Sequence, residues 1–262
     1  MEKIKVFLSD PQVLFREGIH FILSGEDDFE VTGEATSNED AYSLIESNPP
    51  NIAILSQKNS KTSGYEITRR IKRNLSTVAV ILIMENDDEN ALFSALKSGA
   101  SAYLTKDADP DYLLDVARVV AQSSQPIIET LMIPGIASVA LIEFKDLATL
   151  NEQLGNLLAH LSPKESEILE SIAAGNGIEQ ITAKLSINEE TIRRNLKMIQ
   201  NKLIANDQSR TVIEAAHRSL PSIIAGAGRM ESPSTEYVTK VEFNEFKDSL
   251  MERLKSFIGE LA

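Results

Sequence analysis

The chain has 262 residues, of which 42% are hydrophobic and 25% are charged, so it is long enough for two domains with ordinary apolar cores. It contains no cysteine, which excludes disulfides and thiolate zinc sites, and its three histidines are too far apart in sequence for a ligand motif. The N-terminus lacks the pattern of a signal peptide, and no apolar run is long enough to cross a bilayer. We therefore expect a cytoplasmic protein without membrane contact.

The net charge of −13 is unevenly distributed along the chain. Residues 1–122 carry 12 basic and 20 acidic side chains, whereas residues 161–220 carry 8 of each. Because residues 161–220 carry no net charge, they attract nucleic acid only weakly over long distances. Any specificity for DNA has to come from local contacts or from dimerisation.

Apolar runs alternate with amphipathic segments through residues 1–122. The runs are typical of strands and read IKVFL, FEVTGEA, NIAIL, VAVILIM and ASAYL. Helices are predicted between and after them, near 12–24, 38–47, 63–74, 88–99 and 109–122. This alternation predicts an α/β domain, a doubly wound (βα)5 parallel sheet in the flavodoxin-like order, with its functional edge at the carboxyl ends of the strands.

Residues 123–160 are predicted to form a helical linker. Pro126 follows a short polar stretch that ends the fifth helix of the first domain. From Ile136 to Leu158 apolar residues recur at spacings of three and four, which is typical of a helix. The pattern fits two roles equally, packing between the domains or forming the stalk of a dimer.

Three short helices are predicted after the linker. Ser162 and Glu165 have the spacing of a capping box at the start of the first helix, and Gly175 is placed to end it. The second helix is predicted over residues 178–185. The third begins after Asn188, a favourable N-cap residue.

The third of these helices has one apolar and one largely basic face. Its apolar face is formed by Ile192, Leu196, Ile199 and Leu203, at helical spacing. Arginine can pair with guanine, an amide with adenine and lysine with phosphate, so such a helix suits the major groove. The alternative is a solvated face on an ordinary three-helix bundle. The polar face consists of Glu190, Arg193, Arg194, Lys197 and Asn201.

The segments LSPKESEIL, IAAG, NEETI and the final KL fall in register with the helix-turn-helix domain of LuxR/NarL-type transcription regulators, which residues 161–220 resemble. In that family the third helix faces double-stranded DNA. Departures at Gly177, Glu179 and Asn195 remove a polar N-cap, a basic residue and a frequent histidine, which weakens non-specific affinity. The resemblance implies that Arg193, Arg194 and Lys197 face the DNA. The full set of predicted DNA-binding residues is Thr191, Arg193, Arg194, Lys197, Asn201 and Lys202.

The first domain resembles the receiver domain of bacterial response regulators over essentially all of residues 1–122. The resemblance rests on FLSDPQVLFREGIHFIL, TRRIK and ALKSGASAYLTKDA. Receivers that accept a phosphoryl group place two acidic residues after the first strand, an aspartate after the third, a hydroxyl after the fourth and a lysine after the fifth. The carboxylates hold Mg²⁺, and the lysine and hydroxyl bind phosphoryl oxygens.

Most of that pattern is missing here. Asp10 remains, but a proline replaces its acidic neighbour, Ser56 stands at the acceptor position and Met84 stands where the hydroxyl belongs. One carboxylate cannot hold Mg²⁺ well, and a serine cannot form an acyl phosphate. We expect a degenerate receiver that is not phosphorylated by the family's mechanism, with no metal and no cofactor. Its site residues are Asp10, Ser56, Met84, Tyr103 and Lys106.

Three roles are open for such a domain. It could be a constitutive interaction and dimerisation module that uses residues 91–121, or a small-ligand sensor with its pocket at the former phosphorylation site. Modification of Ser56 is the third, and no charged sequence context supports it. Asp10 and Lys106 are expected to form a structural ion pair at the sheet edge.

The last part of the chain differs from the family pattern. Residues 221–239 contain AGAG and ESPS and are predicted to be a flexible connector. Residues 240–262 are amphipathic, with apolar residues at spacings that fit a heptad seam. This C-terminal helix could dock on its own domain. The connector favours a detachable helix that pairs with another copy or with a different protein.

The sequence as a whole predicts an atypical response regulator that binds double-stranded DNA as a homodimer and regulates transcription without phosphorylation of a receiver aspartate. No arrangement of nucleophile, base, metal ligands or phosphate loop indicates an enzyme. The alternative is an adaptor that binds proteins rather than DNA, built from the pseudo-receiver and a degenerate helix-turn-helix. Gly177, Glu179 and the overall acidity favour that alternative.

Overall fold

The computed structural model describes residues 3–58, 62–154 and 158–226. Its N-terminal half contains one parallel sheet of five strands in the order β2-β1-β3-β4-β5. This order confirms the predicted doubly wound, flavodoxin-like fold. The strands are β1 (Ile4–Ser9), β2 (Phe29–Ala35), β3 (Ile52–Ser56), β4 (Ala79–Met84) and β5 (Ala102–Thr105).

Five helices cover the two faces of this sheet. Successive strand residues point to opposite faces, so Val80, Leu82 and Met84 of β4 belong to one core layer and Ile81 and Ile83 to the other. The first layer includes side chains from the second, third and fourth helices, and the other includes side chains from the first and fifth. The helices are α1 (Val13–Ser24), α2 (Asn38–Ser47), α3 (Gly64–Asn74), α4 (Glu89–Ser98) and α5 (Pro110–Ala121).

The linker consists of a 3-10 helix, Pro126–Met132, and the helix α6, Pro134–Leu154. α6 packs against α4 on one side and against the C-terminal helical domain on the other. Ile136, Ala140 and Phe144 are buried in that position. The linker therefore packs between the domains, which is the first of the two predicted roles, and the dimer stalk stays a prediction.

The C-terminal domain begins with α7 (Pro163–Ala173) and α8 (Ile178–Leu185), followed by the long helix α9 (Glu189–Gly226). The capping box is present, since the Ser162 N–H donates to Glu165 Oε2 at 2.6 Å and the Glu165 N–H donates to Ser162 Oγ at 3.3 Å. Gly175 follows α7 with a φ of +83°, a conformation that suits glycine. The Asn188 side chain accepts the Thr191 N–H at 2.9 Å and caps α9.

The helix α9 extends well beyond the apolar face that predicted it. The residues after Leu203 contain no glycine or proline before Pro221, and Asn206 ties the helix to the linker by bonds of 2.7 and 2.9 Å with the backbone of Ala159. Residues 221–226 are predicted to belong to the flexible connector 221–239, but they are helical in the structure. The rest of that connector and the amphipathic segment 240–262 lie outside the described residues.

One apolar core joins the two domains. The layer on the α2, α3 and α4 side of the sheet continues through Phe144 of α6 to Ile172 of α7 and Ile199 of α9. Across residues 3–58, 62–154 and 158–226, no individual helix has both the length and the apolar character needed to span a bilayer. The 3-10 helix together with Pro134–Ala148 meets that test only as a pair, bent by 88°.

Candidate functional site

The first site lies at the carboxyl ends of β1 and β5. Asp10 is 3% exposed, and its Oδ2 lies 3.2 Å from Nζ of Lys106. The Oδ1 of the same carboxylate accepts the Gln12 N–H at 2.7 Å. The Lys106 ammonium group also lies 4.9 Å from the centre of the Phe15 ring. The predicted ion pair between Asp10 and Lys106 is therefore present, and it engages both charged residues of the predicted receiver site.

Ser56 ends β3 in a closed polar network. Its side chain is 1% exposed, and its hydroxyl donates to the Lys58 carbonyl at 3.1 Å. The Asn38 amide donates to the Ser56 carbonyl at 3.2 Å and to the Thr62 carbonyl at 2.9 Å. In turn, Ser9 donates to the Asn38 side-chain oxygen at 3.1 Å. The Ser56 hydroxyl and carbonyl are thus both hydrogen-bonded by neutral groups of the protein.

Met84 and Tyr103 complete the predicted receiver site. Met84 is 1% exposed and belongs to the apolar core, with its carbonyl accepting the Lys106 N–H at 3.3 Å. Tyr103 is half-buried. Burial raises the pKa of the Tyr103 phenol, and the nearby Asp87 and Tyr112 raise it further. The phenol therefore stays neutral and can donate a hydrogen bond at physiological pH.

These residues do not fit a magnesium ion. Among the residues that the structure describes, no group of three or more histidine, aspartate or glutamate side chains is arranged to hold a metal. The Asp10 carboxylate is already paired with Lys106, and Ser56 and Met84 offer no anionic oxygen. Mg²⁺ requires a near-octahedral set of oxygen ligands.

The second site is the outer face of α9. Arg194, Lys197 and Asn201 are all exposed, and they follow one another at spacings of three and four residues. This spacing places them on one side of the helix. Within the described part of the chain, none of the three has a hydrogen bond or ion pair from its side chain. Two cations and an amide are thus open to solvent beside one another.

Arg193 lies on an adjacent side of α9 and is held by two carboxylates. Its Nε and Nη2 donate to Glu189 Oε1 at 3.0 and 2.9 Å, and its Nη1 pairs with Glu129 of the 3-10 helix. Hydrogen bonding to Glu189, together with the charge of Glu129, raises the pKa of the guanidinium. Both Arg193 and Glu129 are about half exposed, at 47% and 50% of their side chains.

Thr191 and Lys202 have roles inside the domain. The Thr191 N–H is bound by Asn188, and its carbonyl accepts the Asn195 amide at 2.7 Å. The Lys202 ammonium lies 2.6 Å from Glu165 Oε2, so it neutralises the buried carboxylate of the capping box. The predicted DNA-binding residues therefore fall into two groups, those with exposed side chains that make no bond in the described structure and those that bind other groups of the protein.

Part of the predicted interaction region 91–121 is covered within the chain. Leu92, Phe93 and Leu96 of α4 are buried, because α4 packs against both α6 and α9. The exposed apolar side chains of the region lie on α5, where Tyr112 is 58% exposed. An interface that uses α4 would require the C-terminal domain to move away.

Three residues that matter for the relation between the domains carry no signal in the sequence. Glu129 contacts Arg193 from the linker, and Arg69 of α3 pairs with Asp207 of α9. The last two residues are 138 positions apart. Neither periodicity nor a local motif connects positions at such a distance.

Comparison with known proteins gives two matches that divide the chain as the fold does. Residues 6–118 match the response regulator receiver domain, and residues 159–215 match the luxR family of bacterial regulatory proteins. The chain is 30% identical over 224 residues to the transcriptional regulatory protein DegU of Brevibacillus brevis. The aligned residues cover 81% of this chain and 93% of that relative. The chain belongs to the LuxR-type response regulators.

A second relative agrees with that assignment. A probable transcriptional regulatory protein NarL of Mycobacterium tuberculosis is 26% identical over 219 residues, covering 84% of this chain and 96% of the relative. The solved receiver domain of a NarL protein from the same species is 30% identical, with a TM-score of 0.43, and covers 45% of this chain and 98% of that one. This response regulator is a DNA-binding transcription regulator of the two-component type, with a LuxR-type helix-turn-helix.

Proposed function

We propose that this response regulator reads DNA with the outer face of α9, through Arg194, Lys197 and Asn201. The observation that supports the proposal is the exposure of these side chains while the opposite face of the helix is buried. Two supporting helices hold α9, as in other modules that insert a helix into the major groove. Across the part of the chain that the structure describes, no hydrogen bond or ion pair engages these three side chains, so none has to be broken before a duplex binds them.

Arg193 adds a contact only after it leaves Glu129. An exposed ion pair of this kind contributes about 0–1 kcal/mol, so a phosphate or guanine can displace the carboxylate. Thr191 and Lys202 remain predicted DNA contacts. Their support is weaker, because the Lys202 ammonium already binds Glu165 and the Thr191 backbone groups are engaged in α9.

We further propose that the receiver domain works without phosphorylation of an aspartate. Ser56 stands at the acceptor position with a buried, hydrogen-bonded hydroxyl, and the Asp10 carboxylate of the same site is neutralised by Lys106. A hydroxyl does not form an acyl phosphate, and these groups offer no magnesium site. The pseudo-receiver then acts as a fixed partner of the linker and of α9, through the shared apolar core.

Binding as a homodimer and a protein contact through residues 240–262 also belong to this proposal. A dimer doubles the local contacts that a domain with no net charge can offer to DNA. The support for the tail is its heptad-like spacing in the sequence. Light scattering of the full chain and of a chain ending at residue 239 tests both points, since loss of the tail should reduce the observed mass if it pairs with a copy of itself.

DNA binding by single variants tests the role of α9. A duplex is first selected from random sequence with the wild-type chain, and the affinities of Arg194→Ala and Lys197→Ala are then measured by fluorescence anisotropy at several salt concentrations. Each variant should lose about 1–3 kcal/mol of binding free energy, and loss of a phosphate contact should reduce the salt slope by about one. Arg73→Ala, which removes an exposed cation from α3, is the matched control. Wild-type affinity in both α9 variants would refute the assignment.

A further inference from the structure

A cavity lies between the receiver domain and the linker. It has a volume of about 340 Å³ and is bounded by β5, α5 and the 3-10 helix. Its walls are largely apolar and include Val116, Ile127 and Ile133, with Tyr103 and Tyr112 adding two aromatic rings. Cavities of this size and lining, at the junction of two structural units, are typical of sites for small molecules.

The cavity lining contains an acidic side chain, whose charge Arg193 balances in this structure. Glu129 is the one ionisable carboxylate among its lining residues, and no cationic side chain belongs to that set. Asp87 lies close enough to Tyr103 to raise the pKa of its phenol, which adds to the negative potential on that side. An apolar site with a single carboxylate favours a ligand that has an apolar body and one positive charge.

Glu129 connects the cavity with the DNA-binding helix. The same carboxylate that lines the cavity pairs with Arg193 of α9. Glu129 cannot neutralise two cations as well as one, so a positive ligand in the cavity and Arg193 compete for it. The pair is half exposed, so its exchange for another partner costs little.

We propose that this cavity binds a small arylalkylamine, an aromatic ring that carries an ammonium group on a short alkyl chain, with its ring beside Tyr103 and Tyr112 and its ammonium group on Glu129 in place of Arg193. Arg193 keeps its two bonds to Glu189 of the same helix, and its Nη1 group becomes available to a phosphate or a base. This second consequence rests on the proposed DNA-binding role of α9, whereas the binding of the amine does not. By linkage, DNA that takes Arg193 away from Glu129 raises the affinity for the amine by the same factor.

The strength of the exposed ion pair limits the size of this coupling. A ligand shifts an equilibrium only by the difference between its affinities for the two states. Releasing a partly exposed arginine should therefore raise the affinity for DNA about two- to fivefold. A ligand of about a dozen heavy atoms should bind with a dissociation constant of about 0.1–1 mM.

Three indoles of similar shape test the binding site on the full chain. Tryptamine carries an ammonium group, tryptophol carries a neutral hydroxyl in its place, and indole-3-acetate carries a carboxylate. Titrations followed by calorimetry and by saturation-transfer NMR should give saturable binding of tryptamine. Tryptophol should bind about tenfold more weakly, and indole-3-acetate should bind more weakly still.

Single variants locate the site. Glu129→Gln should lower the affinity for tryptamine about tenfold, to the level of tryptophol, while the affinity for tryptophol stays unchanged. Tyr112→Ala, at an exposed position, should weaken both ligands because it removes one aromatic wall. Glu167→Gln removes an exposed carboxylate from α7 and serves as the matched control. Equal thermal midpoints of these variants show that the folded chain is compared in each case.

Specific outcomes overturn the proposal. The first is the absence of saturable tryptamine binding up to about ten millimolar, a concentration far above the expected dissociation constant. The second is equal affinity for tryptamine and tryptophol. The third is wild-type affinity for tryptamine in Glu129→Gln. The link to DNA is tested last, with saturating tryptamine and the selected duplex. An unchanged DNA affinity with the amine bound overturns the coupling. Failure of the chain to bind any duplex refutes the proposed function instead, and the amine titration remains a separate measurement.

Discussion

Arg69 on α3 and Asp207 on α9 form an ion pair that connects the receiver domain directly to the helix proposed to read DNA. The Arg69 Nη2 lies 3.3 Å from Asp207 Oδ1, and Nε pairs with the other carboxylate oxygen. The side chains are 28% and 12% exposed, so water screens the pair only partly. Such a two-pronged contact fixes orientation as well as distance. It therefore holds α9 in one position against the sheet domain.

Arg69→Ala should loosen the contact between the domains. The loss of charged hydrogen bonds to a partly buried carboxylate should cost about 1–3 kcal/mol in the free energy of unfolding, measured by urea denaturation. Arg73→Ala on the same helix, at an exposed position, should stay within about 0.5 kcal/mol of the wild type. A charge exchange, Arg69→Asp with Asp207→Arg, should recover part of the loss. Equal stability of Arg69→Ala and Arg73→Ala would show that the pair contributes nothing to docking.

Gly64→Ala and Gly18→Ala should have opposite effects on stability. A Cβ at Gly64 would lie 2.6 Å from the Ser56 carbonyl oxygen and 2.7 Å from the Cα of Gln57, and backbone atoms cannot move aside cheaply. We expect a loss of about 1–3 kcal/mol. Gly18 lies inside α1 with no atom near its added Cβ, so alanine there should stabilise the helix by about 0.5–1 kcal/mol. Thermal denaturation of both variants measures the difference, and a stabilised Gly64→Ala would contradict the close approach of β3 to α3.

The contribution of Glu165 to stability should depend on pH. Burial opposes its ionisation, but the hydrogen bonds from Lys202 and Ser162 outweigh this effect and hold the pKa of the carboxyl below its usual range. A lowered pKa in the folded state gives stability that is present above the unfolded value of about 4.3 and is lost as the pH falls through the folded value. Glu165→Gln should therefore cost about 1–3 kcal/mol at pH 7. Below pH ~4 the difference from the wild type should shrink.

The control for this experiment lies on the same helix. Glu170 is exposed on α7, so Glu170→Gln should change the unfolding free energy by less than about 0.5 kcal/mol at every pH. Urea denaturation at pH 7, 5 and ~3.5 follows the three proteins across the relevant range. A constant penalty for Glu165→Gln down to the lowest pH would indicate that the effect comes from packing rather than from the charge.

The receiver domain should not respond to a small phosphodonor. Incubation of the wild-type chain with acetyl phosphate and Mg²⁺ should add no phosphoryl group, measured by intact mass, and should leave DNA affinity unchanged. Ser56→Asp puts an acceptor carboxylate at a position that is 1% exposed and hydrogen-bonded, where Lys106 of the same site is already paired with Asp10. It should destabilise the domain by about 1–3 kcal/mol at pH 7, with Ser43→Asp on the exposed face of α2 as control. Phosphoryl transfer to the wild-type chain would overturn the proposal of a pseudo-receiver.

The parts of the fold that depend on local pattern were predictable from the sequence. The strand order follows from five alternating units, and the capping box at Ser162, the end of α7 near Gly175 and the start of α9 after Asn188 follow from residue types at fixed offsets. The pairing of Asp10 with Lys106 was also predictable, because parallel strands bring their carboxyl ends to one edge.

Only the tertiary structure showed which of the predicted polar site residues already form ion pairs within the chain. By itself the sequence determined the two domain types, the loss of the acidic and hydroxyl groups of the receiver site and the basic face of α9. It could not show that Glu129 forms an ion pair with Arg193, that Lys202 forms one with Glu165, or that α4 packs beneath α6 and α9. Periodicity and capping arise from neighbours within about one helical turn. Contacts between distant segments arise from how whole faces pack, which no short stretch of residues specifies.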